Sequence, residues 1–387
     1  WINTTSNTCT ITLPSSAESG DQIVLIDYAR TWGTNSIFID SNGLNYQGNA
    51  DTYTVEYTTD GQSVNIVYSD ATKGWIPLED DVTALEPVAP PTQKAIFGYG
   101  TTGSVVSMSN LVSSSGVVAT DVTGVGTARR NVGAASYGGD KAIFGYGTTG
   151  VGNLSISNLV NNSGVVSADV TGVGTARRQL GATTYGTDKA IFGYGNSGSQ
   201  VSITNLVSNS GVVATDTTGV GTARSTVAAA GYGSTGQAIF GYGTTTGDGS
   251  GRVSMTNLVT NVGVVGTDVT GVGTARYGLA AASYGGDKAI FGYGADASDL
   301  GLSLTNLVNN SGVVAADVSG VGTARADIAA SGYGGDKAIF GFGYVSSTTS
   351  RTAITNLVSN TGVVASNVTG VGTAREGLGA AGYSTSA

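Results

Sequence analysis

Short apolar or alternating runs of five to seven residues, rich in Val, Ile, Ala and Leu, are broken throughout this chain by Gly, Asn, Ser and Thr, with no helical stripe. Such runs predict strands and turns. From residue 94 onward the pattern repeats, each copy announced by a variant of Lys-Ala-Ile-Phe-Gly-Tyr-Gly. The copies start at Lys94, Lys141, Lys189, Gln237, Lys288 and Lys337, with spacings of 47, 48, 48, 51 and 49 residues. Periods of that size mark propellers or solenoids. In the copy that follows Arg276, the runs 279–284, 288–293, 302–308 and 312–318 predict four short strands of an antiparallel meander. Six such blades predict an all-β, six-bladed β-propeller. A solenoid needs atypical capping repeats, and here the terminal copies resemble the middle ones.

The chain ends complete each other. Copy one begins at its second strand, Lys94, while the last run is a first strand with nothing after it. Residues 379–383 are therefore expected to pair with the strand at Lys94, closing the first blade and covering sheet edges.

Composition narrows the class. The chain has 62 Gly, 11% charged residues and a net charge of −9 with no His. No basic cluster is present to meet phosphates, so nucleic acid is not expected as a partner. Absence of His removes the usual general base and zinc ligand. No apolar run approaches the roughly 20 residues of a membrane helix, so no membrane insertion is expected. The single cysteine, Cys9, allows no intramolecular disulfide. The chain opens on Trp1 without a signal-peptide pattern, as expected for part of a longer polypeptide.

Before the repeats the character changes. Residues 1–82 hold every Trp and the predicted strands 8–13, 22–28, 36–40, 52–58 and 63–68, which suggest a small β-sandwich-like domain. Residues 83–93, with Pro87, Pro90 and Pro91, read as a stiff linker. The propeller is assigned to 94–387.

Two resemblances follow from particular wording. Cys-Thr-Ile-Thr-Leu-Pro from Cys9, Gly-Asp-Gln-Ile-Val-Leu-Ile-Asp-Tyr from Gly20 and Val-Tyr-Ser-Asp-Ala-Thr-Lys-Gly-Trp from Val67 resemble a module of tailed-phage virion proteins, tail fibres included. That resemblance covers about 80 residues and implies a connector or assembly role on the virion surface, outside the cell, with other virion proteins as partners and a trimer as the oligomer. The order Arg, first strand, Tyr-Gly-Gly, second strand, Phe-Gly-Tyr-Gly resembles the kelch family of propellers. Kelch blades usually carry Gly-Gly after the second strand and a Trp in the fourth; these repeats have Gly-Tyr-Gly and no Trp.

Recurrent polar residues have a packing explanation first. Asn110, Asn158, Asn205, Asn257, Asn306 and Asn356 are expected to bond local backbone. Arg129, Arg177, Arg224, Arg276, Arg325 and Arg375 each lie eight residues after an Asp, or after Asn367 in the last copy. They read as clamps, or alternatively as a guanidinium ring at a channel mouth able to fork onto acidic glycans. Because Asn367 breaks the pairing, Arg375 is the one expected to be free.

Two stretches vary between copies. The first comprises the loops 101–105, 148–153, 196–200, 244–252, 295–300 and 344–351; the second is the residue pair after each recurrent Arg. In a propeller both open on one face, and loops on rigid scaffolds commonly carry recognition. The candidate ligand-binding residues are therefore Arg130, Asn131, Arg178, Gln179, Asn196 and Gln200 in the first half of the repeats. Asp248, Arg252, Tyr277, Asp296, Asp299, Asp327, Tyr344, Arg351, Arg375 and Glu376 follow in the second half.

No catalytic residue, metal or cofactor is expected. The GxGxxG matches at Gly98 and Gly145 precede no helix, and the loop aspartates lack the ligand spacing of a calcium motif. The reading is a virion-associated fibre or adhesin-type protein presenting a propeller face to a host-surface glycan or protein. The alternatives are a structural decoration or scaffold protein, and a carbohydrate-active enzyme, which would need paired carboxylates.

Overall fold

The computed structural model describes residues 1–78, 93–247 and 250–384; most of the expected linker, residues 83–92, and Asp248 lie outside them. The chain divides into two compact units, Trp1–Pro90 and Pro91–Ala387. It is all-β.

In the first unit, strands β1 (Cys9–Thr12), β3 (Ile37–Asp40) and β4 (Val55–Tyr57) form one sheet, with β1 parallel to β3. Strands β2 (Gln22–Ile26), β5 (Ser63–Tyr68) and β6 (Trp75–Pro77) form a second, antiparallel sheet. Alternation along β5 buries Val64, Ile66 and Tyr68 in a single core with Trp32, Ile37, Tyr57 and Trp75. The run expected as a strand over 52–58 is extended only over Val55–Tyr57, since Tyr53 donates its N–H back to Ala50 in a turn. The strand Trp75–Pro77 went unpredicted because it is three residues long and ends on proline.

In the second unit, six three-stranded antiparallel sheets recur among the described residues. In the second copy, Lys141–Gly145 is central and pairs with Gly133–Tyr137 and Ser157–Val160. Its Ala142, Ile143 and Phe144 are fully buried, as suits a strand covered on both faces. The first copy completes its sheet from the other end of the chain: Gly379–Tyr383 pairs antiparallel with Lys94–Gly98, with Tyr383 opposite Lys94.

Glycine sets the approach between neighbouring sheets. The tip of Phe144 lies 2.7 Å from where a Cβ on Gly98 would stand, and the contact recurs as Phe192 on Gly145, Phe240 on Gly193, Phe291 on Gly241 and Phe340 on Gly292. Phe97 on Gly341 returns the series to its first member. Substitution Gly145→Ala is expected to destabilise this unit by about 1–3 kcal/mol through overpacking, read as a lower denaturant midpoint; an unchanged midpoint would refute the close-approach argument.

The expected fourth strand is a correction. Residues 312–318 meet the preceding strand only through the bridges Val308↔Val314 and Thr305↔Val318, so the outer segment carries one extra residue between them. This is a β-bulge, and it interrupts the ladder. Into the gap comes the side chain of Asn306, whose Nδ2 donates to Ala315 O at 3.0 Å and to Asp317 Oδ1 at 2.9 Å. The expected four-stranded unit is thus a three-stranded sheet with a bulged, bridge-held edge.

Candidate functional site

The recurrent arginines lie inside the protein. Arg129 is fully buried and donates from Nε to Tyr146 O (2.8 Å), from Nη1 to Thr127 O (3.1 Å) and from Nη2 to Asn158 Oδ1 (2.7 Å). Its guanidinium stacks 4.2 Å above the ring centre of Tyr99 in its own copy. Tyr146 needs that clamp, because it holds a left-handed φ of 62° that non-glycine residues seldom adopt. The nearest carboxylate, Asp169 at 4.0 Å, belongs to the next copy and accepts hydrogen bonds from Thr127 and Asn158.

Two expectations are thereby overturned. The six guanidinium groups are not a ring at a channel mouth, since all six are 0% exposed. Arg375 is not free: it reaches Tyr99 O, Thr373 O and Asn110 Oδ1, with Asp121 3.8 Å away. Each Arg meets the Asp of the following copy, so Asn367 deprives Arg325 instead; there Thr323 N–H donates to Asn367 Oδ1 at 3.1 Å. Burial pulls the Arg375 guanidinium down to about 10, against the pull of Asp121, leaving it charged at neutral pH. The recurrent asparagines do bond local backbone, and they also accept from the arginines.

The two variable stretches do come together. Bridges join Arg130 to Thr148, Arg178 to Asn196, Ser225 to Thr244, Tyr277 to Ala295, Ala326 to Tyr344 and Glu376 to Thr101. Each post-Arg residue therefore pairs with the base of a variable loop. Three loops are then fastened by their own side chains. Arg252 forms an ion pair with Asp299 and stacks 4.7 Å from the ring centre of Tyr277, whose hydroxyl donates to Asp299 Oδ1 at 3.0 Å. Burial, then Asp299, pushes the Tyr277 hydroxyl up to about 12. Asp296 caps its own loop by accepting from Ser298 N and Leu300 N. Tyr344 opens a two-residue hairpin, Tyr344–Val345 with Ser350–Arg351, and Arg351 donates to Glu376 Oε1 at 3.2 and 2.9 Å.

Arg130, Arg178 and Gln200 are half-buried, whereas Asn196 is 8% exposed and turns its Oδ1 to Gly198 N. Gln200 Nε2 and Arg252 Nε are buried without a hydrogen-bond partner among the described residues.

The second post-Arg residues form an arrangement that the sequence reading missed. Asn131, Gln179, Thr226, Gly278, Asp327 and Gly377 all have left-handed φ, between 50° and 61°. Their backbones link in a circle: Asn131 N–H donates to Gly377 O, Gln179 to Asn131, Thr226 to Gln179, Asp327 to Gly278 and Gly377 to Asp327. The available signal was residue type, since Gly, Asn and Asp, the residues that best tolerate positive φ, fill four of these six places.

Within this circle lies a pit of about 80 Å³, floored by the aliphatic residue that follows each member: Val132, Leu180, Val227, Leu279, Ile328 and Leu378. Asp327 is its one acidic residue. Burial pushes its carboxyl up to about 6, Glu376 adding to the rise and Arg130 opposing it, although the residue stays partly open to solvent. A second cavity, of about 330 Å³, is lined by the Ala, Ser, Thr and Gly of the first strands and by Gln93. Among the described residues no group of three or more Asp, Glu, Cys or His is placed to hold a metal ion.

No family model matches this chain, and no curated protein is significantly similar to it.

Proposed function

We propose that the six repeat sheets are the blades of a closed β-propeller, and that its loop-bearing face recognises a glycan or protein on a host surface. Closure is supported by the pairing of Gly379–Tyr383 with Lys94–Gly98 and by the Phe-on-Gly contacts that return to their first member. The observation that carries the recognition reading is the bridging of the two variable stretches, loop base to post-Arg residue, in each of the six copies. Variation is thus concentrated on one surface of an otherwise repeated scaffold, and that surface offers amides, hydroxyls, Tyr and Arg.

In this reading the first unit serves as the virion connector, on the strength of its resemblance to phage modules. The whole acts as a homo-oligomer, a trimer as in fibres, so that weak single sites gain about 10² to 10⁴-fold by avidity.

A second reading, structural decoration, draws on Val117, Val165, Val212, Val264, Val313 and Val363, which stand at equivalent outer positions and are 60–65% exposed. The two are separated by assaying the chain on glycan arrays and a panel of bacterial cells. A variant with loops 295–300 and 344–351 replaced by short Gly-Ser turns is run beside it. Recognition predicts binding that the loop variant loses while keeping its unfolding midpoint; no binding by either chain would favour decoration.

A further inference from the structure

We infer that the pit at the centre of the loop-bearing face is a binding site for a primary ammonium group carried on an aliphatic carbon. Asp327 supplies the counter-charge, and Asn131, Gln179 and Thr226 supply acceptor oxygens. The inference rests on the recognition reading and gives the ligand chemistry at one point of that face.

Three features select this chemistry. The charge comes first: no hydrogen bond or ion pair to the Asp327 carboxylate occurs among the described residues, and its Oδ1 lies over the bare Cα of Gly278, 3.0 Å from where a Cβ would be. A carboxylate so enclosed gains from any cation that reaches it, because charge-assisted hydrogen bonds are roughly twice as strong as neutral ones.

The size of the pit comes second. About 80 Å³ is room for two or three water-sized groups, which matches a methylene and an ammonium and is less than a whole sugar ring fills. Third is the floor, where Leu180, Leu279, Ile328 and Leu378 offer no polar group to a hydrated metal ion but pack well against the carbon that bears an amine. The ring of backbone N–H groups does not compete, since five of them are spent on neighbouring carbonyls.

The charges around Asp327 set the pH behaviour. Arg130 faces it as a repelling cation for the ligand, and Glu376 as an attracting anion partly neutralised by Arg351. Because the Asp327 carboxyl titrates near 6, binding of an amine that is protonated throughout this range should weaken as pH falls through that value.

The test is titration of the full chain with methylammonium, N-acetyl-lysinamide and glucosamine, with N-acetylglucosamine as the uncharged control, followed through the side-chain amide resonances of Asn131 and Gln179. Saturable shifts are expected with the amines and none with the control. Preference for the lysine derivative would point to a protein ligand, and preference for glucosamine to an amino sugar. Substitution Asp327→Asn, which keeps the shape and suits a left-handed φ, should weaken binding tenfold or more. Arg130→Gln should strengthen it severalfold. Equal shifts with N-acetylglucosamine, unchanged affinity in Asp327→Asn, or no saturable shift with any amine would each overturn the assignment. If cell binding that depends on the loops persists in Asp327→Asn, the recognition reading stands and only the ammonium pit fails.

Discussion

A chain ending at Leu378 is expected to lose the cooperative fold of the repeat unit, because its last strand is the only partner on one side of its first. Removing Gly379–Tyr383 strips a five-residue antiparallel ladder from Lys94–Gly98. It also removes Tyr383, 2% exposed, and Ala381, 4% exposed, from the cluster around Ile96, Phe144 and Tyr99. The hydroxyl of Ser136 loses its acceptor, Gly382 O at 2.7 Å. Burying one Tyr or aliphatic side chain is worth about 1.5–3 kcal/mol, and each ladder bond about 0.5–1.5 kcal/mol. The sum consumes most of a net stability of about 5–15 kcal/mol. The bared strand edge would add an aggregation route. Calorimetry should show no sharp transition for the truncated chain, and a synthetic segment 377–387 added in trans should restore one. A sharp transition at the full-length temperature would mean that the chain ends do not hold the unit together.

The repeat period and the three paired strands of each repeat were legible in the sequence because each is written six times in apolar runs and glycine punctuation, and the pairing of the chain ends followed from a first copy that begins at its second strand. Three things were not. The fourth strand's bulge depends on a one-residue mismatch between Val314 and Val318 that no periodicity reveals. The partner of each arginine lies some forty residues onward, in the next copy, whereas reading along the chain favours the Asp eight residues back; Arg375 was therefore taken as free although Asp121 and Asn110 enclose it. The pit is the third. Its residues differ in type from copy to copy and share only a backbone conformation, so side-chain identity hides what left-handed φ unites. That the two variable stretches meet was legible, since variation against a constant background needs no geometry to be seen and the bridges join them in each copy. Their fastening was not foreseen, because Arg252 with Asp299 joins residues of neighbouring copies, and Arg351 reaches Glu376 across 25 residues of its own copy.

Replacing one buried arginine should cost more than any loop change, and the cost should differ between copies in a way that tests the network. Arg276 is fully buried and holds Tyr293 O, Thr274 O and Asn306 Oδ1, with Asp317 3.8 Å away. Arg276→Met leaves those acceptors unpaired beside an uncompensated carboxylate, a loss of about 3–5 kcal/mol. Arg325→Met leaves the neutral Asn367 in place of an aspartate, and so should cost less. The reverse substitution, Asn367→Asp, should stabilise at neutral pH, by about 1 kcal/mol for a hydrogen-bonded surface-edge charge. Its sign depends on pH. In the five copies that have the aspartate, burial raises the carboxyl, but bonds from a Thr hydroxyl and an Asn amide, a Thr N–H and the Arg charge outweigh it, leaving each below the usual 3.8. A carboxyl lowered in the folded state contributes stability above its unfolded value and loses it as pH falls through the folded one. The gain from Asn367→Asp should therefore be full near neutrality and vanish in acid below about 4, where the parent chain also weakens as its five aspartates protonate. Denaturant midpoints of the three variants across that range decide the matter. Equal costs for Arg276→Met and Arg325→Met, or a gain from Asn367→Asp that survives in acid, would show that the carboxylates do not pair with the arginines of the preceding copy in solution.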